Sequence, residues 1–326
     1  MKWLEIDCEE ETRRIAAEMR RLLTVFRRRG FVVALSGGID SSVTAALCVQ
    51  AVGKERVFGL HMPDRDSSCD TLSLSQSVSS HFGFESVVED ITPILEAAGC
   101  YSRQEAAVKK VIPEFGKGWK FKIALKNVLE NKGYSFFNVI AQTPDGALRK
   151  ERLPLEAYLG IVAATNFKQR VRKMMEYYQA DRLNYAVTGT PNRLEYDQGF
   201  FVKLGDGAAD VKPIAHLYKT QVYQMADYLG VPEQVRRRAP TTDTYSLAQG
   251  QDEFFFSVPY QTMDLCLFGK NNGIGPEVVA EKAGLNQSQV ERIYRDIDTK
   301  RASTRYLHLA PQLVMPELSD NGSRNA

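Results

Sequence analysis

Phe31-Val32-Val33-Ala34-Leu35-Ser36-Gly37-Gly38-Ile39-Asp40-Ser41-Ser42 is the stretch from which the fold follows. Its first five residues form a short apolar run rich in β-branched and aromatic side chains, and beyond the glycines Val43, Ala46 and Leu47 fall on one helical face. A buried strand therefore feeds, through a small loop, into a helix. Two glycines let the backbone approach phosphate oxygens, the first N–H groups of the helix supply positive potential, and Ser36, Ser41 and Ser42 add hydroxyl donors. The loop, with Gly37 and Gly38 at its centre, reads as an anion cradle. Asp40 would repel phosphates unless a divalent cation screens it, so it predicts Mg2+. A G-x-x-x-x-G-K-[ST] loop is absent here, which disfavours ordinary γ-phosphoryl transfer.

Outward from this unit the chain alternates. Ile15, Met19, Leu22, Leu23 and Phe26 have helical spacing over about residues 8–29, and Gly30 ends the pattern. A second strand is expected at Val57–His61, a helix near Leu72–His81 and a third strand near Ser86–Val88. Such alternation implies an α/β fold with a doubly wound, Rossmann-like parallel sheet. About residues 90–153 break the rhythm with Gly99, Pro113, Gly116, Gly118, Pro144 and Gly146 around Trp119-Lys120-Phe121, and read as an inserted helical subregion. The rhythm resumes with a long helix near 155–178, a strand at Tyr185–Val187 and a helix near Tyr218–Leu229. Thr241–Ser257 has the polar, turn-rich texture of a mobile active-site segment, the rest to about Ile297 is helical, and 311–326 is expected to be a disordered tail. One domain over 1–310 with an insertion is the resulting organisation.

Composition narrows the classes. With 44% hydrophobic and 25% charged residues in 326, the chain can bury a sizeable core. Forty-two Lys and Arg against 40 Asp and Glu leave +2, too even to bind nucleic acid or a membrane through bulk charge. Cys8, Cys48, Cys69, Cys100 and Cys266 make no C-x-x-C pair, which argues against zinc ribbons and disulfide frameworks and fits a reducing cytoplasm. There is no N-terminal h-region and no run of ~18 apolar residues, so neither export nor membrane spanning is expected. His61, His81, His216 and His308 lack zinc spacing, and Ser36 and Ser42 lack the His and Asp of a hydrolase triad.

The string S-G-G-x-D-S resembles the loop of ATP pyrophosphatases, which cleave ATP between the α and β phosphates. Further motifs are similar to one family of that group, NAD synthetase. Asn166-Phe167-Lys168-Gln169-Arg170 resembles its N-x-K-x-R helix, and Thr188-Gly189-Thr190 with Glu195 its G-T-x-x-x-x-E. Gly199 to Asp210 follows G-F-F-T-K-x-G-D-G-x-x-D almost residue for residue, and Lys219, Pro240-Thr241-Thr242-Asp243 and Lys300-Arg301 fall in the family's order. The likeness runs from about 10 to 305, except across 90–153; Pro63–Ser68 and Thr244–Tyr260 also depart from the common pattern.

The resemblance implies roles. Thr190, Lys219 and Thr241 would line the ATP phosphates, and Glu195 would join Asp40 on Mg2+. Arg170, Lys203, Asp210 and Lys300 would bind the acid substrate, while Asp206 would orient or deprotonate ammonia. The implied reaction adenylates deamido-NAD with ATP and lets ammonia displace AMP, in a homodimer; ammonia is the expected direct donor because the chain has no room for the glutaminase domain some relatives carry at the N-terminus, with a separate glutaminase as an alternative source. Locally, the same residues have plainer readings: Glu195 a solvated carboxylate, Asp206 an Asp-Gly turn, Lys219 and one of Arg170 and Arg172 solvated charges. Amidation of another carboxylate, a tRNA-modifying pyrophosphatase and an inactive nucleotide-binding regulator are the alternatives.

Overall fold

Asp7 accepts the Glu10 N–H at 3.0 Å and so starts the first helix, α1 (Cys8–Phe26), whose buried face carries Ile15, Met19 and Leu23. The chain then enters strand β1 (Phe31–Ala34), helix α2 (Ile39–Val52), strand β2 (Val57–His61), helix α3 (Cys69–Phe82) and strand β3 (Glu85–Val88). The computed structural model describes residues 2–125, 137–241, 244–250, 252–256 and 258–314.

Past β3, helices α4 (Thr92–Ala97) and α5 (Cys100–Lys109) lead to strands β4 (Lys120–Leu125), β5 (Phe137–Gln142) and β6 (Leu148–Arg152). The long helix α6 (Leu155–Leu183), strand β7 (Ala186–Thr188) and helices α7 (Arg193–Gln198), α8 (Lys219–Tyr228) and α9 (Glu233–Arg236) follow. Helices α10 (Tyr260–Asn271), α11 (Pro276–Ala283) and α12 (Gln287–His308) complete the chain around their own apolar cluster, including Met263, Val279 and Ile293.

The main sheet has the order β3-β2-β1-β7 with every neighbour parallel, Phe31 standing opposite both Val57 and Ala186. Successive β1 side chains go to opposite faces: Phe31 and Val33 pack with Ile15, Val43 and Val222, and Val32 packs with Leu60, Val171 and Ala180. The sheet is thus covered on both sides, as the doubly wound α/β expectation requires.

The inserted region is a correction to the expected helical subregion. Among its described residues only α4 and α5 are helical; β4, β5 and β6 form a separate antiparallel sheet. Phe121 and Ile123 are buried between Lys120 and Lys122, and Val139 and Ala141 are buried one strand over. Apolar-polar alternation in Trp119-Lys120-Phe121-Lys122-Ile123 was the strand signal, and the surrounding Gly and Pro concealed it. The expected disordered tail lies, from residue 315 on, outside the described residues. Among the described residues no helix is long and apolar enough to cross a membrane.

Candidate active site

A cavity of about 650 Å3 opens at the carboxyl ends of β1 and β7. Open parallel sheets place ligands there because the strands deliver loops and the following helices deliver their N-termini. Ser36, Gly38, Asp40 and Ser41 line it from the first loop, Thr190 and Glu195 from beyond β7, and Lys219 from the start of α8. The hydroxyls of Ser41 and Ser42 each donate to Gly38 O at 2.9 Å, and Ser41 Oγ accepts the Ser36 N–H at 3.3 Å, so the loop is tightened onto the helix start. Gly37 and Ser42 stand behind the lining. Gly37 has φ +70°, and a Cβ there would sit 2.8 Å from Thr71 O, so glycine is required by close packing on α3. Ser42 is fully buried.

Three charged side chains converge in the cavity wall. Lys219, 2% exposed, forms an ion pair with Asp40, whose other oxygen accepts Asn192 Nδ2–H at 3.0 Å. Glu195 is fixed by a capping box at the start of α7: its carboxylate accepts the Asn192 N–H at 3.1 Å, and its own N–H donates to Asn192 Oδ1 at 3.3 Å. Burial and the adjacent Asp40 charge push Glu195 up to about 8. Burial alone would lower Lys219, but Asp40 and Glu195 outweigh it and hold the ammonium above the ordinary lysine range. Among the described residues no group of three or more His, Cys, Asp or Glu converges. Asn192 escaped the sequence reading; the N-x-x-E spacing of Asn192 and Glu195 was the available signal.

Lys219 owes its position to a residue that carries no sequence signature. Asp264 on α10, fully buried, accepts from Lys219 N–H at 3.2 Å and from Thr220 N–H and Oγ–H, each at 2.6 Å. A carboxylate here satisfies two orphan amides at the α8 start. Asp264→Ala is expected to lower stability by about 2–3 kcal/mol, a few degrees in Tm, by leaving those amides buried and unpaired. Burial raises Asp264 from 3.8 to about 6, so between those values the folded chain binds a proton that the unfolded chain has released. This group's contribution is complete below about pH 4 and lost as pH rises through about 6. Urea unfolding of wild type and Asp264→Asn at four pH values reads it as a difference that shrinks with rising pH.

The opposite wall comes from α6 and the loop after α7. Arg170 Nε donates to Lys203 O at 3.3 Å, and Lys203 Nζ donates to Tyr306 O and Leu309 O at 3.0 and 2.9 Å, so two of the three predicted acid-binding cations line the cavity. Asp206 is there as well, its Oδ1 accepting Val202 N–H at 2.8 Å and its pKa raised by burial. Thr241 lines the mouth. The cavity also contains the buried pair Lys173 and Glu176 at 2.7 Å, which the sequence reading did not single out. Besides Gly37 and Ser42, two more predicted residues lie off the lining. Asp210 accepts from Tyr177 Oη at 3.2 Å and Val187 N–H at 2.7 Å, and Lys300 donates to Phe255 O and Asp296 Oδ2, both at 2.6 Å. Thr241–Ser257 shows ordered anchoring in its described part: Tyr245, Gln249 and Phe256 are buried, and Leu247 N–H donates to Phe121 O of β4 at 3.1 Å.

A strand–glycine loop–helix unit without the lysine of a γ-phosphate loop, whose own Asp40 stands beside Glu195 from a separate helix, is the arrangement of the ATP-pyrophosphatase class. The family model described as NAD synthase matches residues 11–116 and 137–304, and this chain belongs to that family. The unmatched stretch between those spans contains β4. The chain is 58% identical over 313 residues to the NH(3)-dependent NAD(+) synthetase of Rhizobium meliloti (strain 1021), covering 96% of this chain and 94% of the relative. It is 56% identical over 311 residues to the protein of the same name from Mesorhizobium japonicum, covering 95% and 98%. Among solved structures, an NMN synthetase from Francisella tularensis aligns with TM-score 0.65 at 22% identity, over 95% of this chain and 100% of that one. At that identity the likeness concerns the fold.

Proposed function

We propose that this chain is an ammonia-dependent NAD synthetase, converting deamido-NAD, ATP and ammonia to NAD, AMP and pyrophosphate. One observation carries the reading: the glycine loop, the Asp40, Glu195 and Lys219 cluster and the half-buried Asp206 face one cavity, in a chain of the NAD synthase family. The acid's carboxylate attacks the α-phosphorus and pyrophosphate leaves; ammonia then attacks the acyl adenylate, AMP departs, and a proton is released.

Little covalent help is needed, so positioning and charge stabilisation do most of the catalysis. Ser36, Gly38, Ser41, Thr190 and Thr241 would hold phosphate oxygens, with Gly37 and Ser42 shaping the loop behind them. Asp40 and Glu195 fit Mg2+, which commonly takes one or two carboxylates and completes its shell with phosphates and water. Burial makes two adjacent carboxylates unfavourable without more positive charge, and bound Mg2+ would supply it on the phosphate side. Lys219 would neutralise the departing pyrophosphate as a point charge. Arg170 and Lys203 would grip the acid's phosphates, and Asp206 would orient ammonia and accept its proton. Asp210 and Lys300 belong to the acid-binding set on the family resemblance alone, since other groups hold them in this chain.

Aromatic rings on the cavity wall, such as Phe137 stacked on Tyr158 at 4.3 Å, suit flat heterocycles. A cytoplasmic homodimer completes the reading, supported by free cysteines and by exposed Leu155, Leu159, Met174 and Tyr178 along α6. The test incubates the protein with ATP, Mg2+, ammonium and deamido-NAD, follows NAD, AMP and pyrophosphate together, and takes the sedimentation mass of the same sample. Equal formation of all three, lost in Asp40→Ala, is expected at twice the 36.6 kDa chain mass; pyrophosphate release with another acid only would overturn the substrate assignment.

A further inference from the structure

The strap that carries Thr241 is tied at two described residues, Arg238 and Thr244, to the loop following β2 and the first turn of α3. At its start Arg238 Nη2 donates to Ser68 Oγ at 2.9 Å and Thr71 Oγ1 at 3.0 Å. At its far end Lys168 Nζ donates to Thr244 O at 3.0 Å, to Asp66 Oδ2 at 2.7 Å and to Asp64 Oδ1 at 3.1 Å. An ammonium has three donors, and these acceptors use all of them. With its side chain 1% exposed, Lys168 has nothing left to offer a phosphate.

The anchor beneath this contact is stiff. Arg172, one turn along α6, donates to Asp64 Oδ2 at 2.8 Å and Met62 O at 3.2 Å. Burial would raise Asp64, but Arg172 and Lys168 outweigh it and keep the carboxylate below its ordinary range, so the ionic framework stays charged at neutral pH. Pro63–Ser68, which departs from the family's sequence pattern, thereby acquires a role.

We propose that Lys168 is a positioning residue for adenylation: by fixing Thr244, as Arg238 fixes the chain ahead of it, it limits where Thr241 can lie and so holds Thr241 at the phosphate cradle. The inference rests on the functional reading that puts Thr241 on ATP phosphates. Anchoring the chain at residues 238 and 244, on either side of Thr241, restricts the positions Thr241 can take before substrate arrives, and a displacement of about 1 Å at a reacting centre can cost on the order of 100-fold.

The experiment measures deamido-NAD-dependent exchange of pyrophosphate into ATP, with ATP varied, in full-length Lys168→Met, Thr241→Ala and the double variant, and the ammonium KM in the overall reaction. Lys168→Met is expected to lose on the order of 100-fold in kcat/KM for ATP while the ammonium KM stays within about twofold. On the Thr241→Ala background the same change should add less than about threefold, because residues acting through one another are non-additive. Full additivity in the double variant, or an equal rise in the ammonium KM, would overturn the clamp and leave the Thr241 assignment standing. Unchanged ATP use in Thr241→Ala would overturn both. If thermal melting shows Lys168→Met unfolded, Arg238→Ala and Asp66→Asn are read by the same cycle, with the same outcomes deciding.

Discussion

Lys219→Met is expected to lower the rate of adenylation by about 10³-fold, the upper end of what one removed electrostatic donor costs in a water-excluded site. The side chain is 2% exposed and is paired with Asp40 beside Glu195. Without it, pyrophosphate must leave with less compensating charge, and two half-buried carboxylates lose their cation. Arginine should restore little, because a planar fork does not occupy the space of a compact ammonium. The α8 start should survive, since Asp264 bonds the backbone of residue 219 rather than its side chain. Pyrophosphate release at saturating ATP and deamido-NAD measures the effect, and a loss under tenfold would remove Lys219 from the chemistry.

Asp206→Asn separates the two halves of the reaction. An amide still accepts the Val202 N–H that Asp206 holds at 2.8 Å, so the loop should keep its shape while losing its proton acceptor. We expect kcat/KM for ammonium to fall by about 10²- to 10⁴-fold, the span of general-base effects, with deamido-NAD-dependent pyrophosphate exchange retained. Burial holds Asp206 above the ordinary carboxylate range. Amidation by the wild type should therefore decline as pH falls through that raised value, and the variant should lack this limb. Equal losses in exchange and amidation would mean that Asp206 supports the fold or the acid instead.

The site divides between residues readable in sequence and residues that only packing recruits. The phosphate loop was legible because strand, glycines and helix are contiguous from Phe31 to Leu47, and local chemistry dictates them. Arg170, Lys203, Asp206 and Thr241 were placed by resemblance, and the structure brings all four to the cavity. Lys173 and Glu176 were not legible, since a charged pair three residues apart on a basic helix is ordinarily solvated. Asp264 lies 45 residues from Lys219, and no local pattern announces a cap supplied across such a separation.

By itself the sequence determined the doubly wound α/β class and the strand–glycine loop–helix unit at Ser36–Ser42, because both depend on short-range periodicity and on glycine's backbone freedom. Tertiary structure decided that the insertion carries an antiparallel sheet supporting the segment after Thr241, and that Gly37 and Ser42 stand behind the lining. It also turned Lys168 inward to three acceptors, two from the loop after β2 and one from the Thr241 strap. Those outcomes depend on which elements meet in space, and an ammonium buried at such a meeting keeps its charge only where distant oxygens converge to receive it.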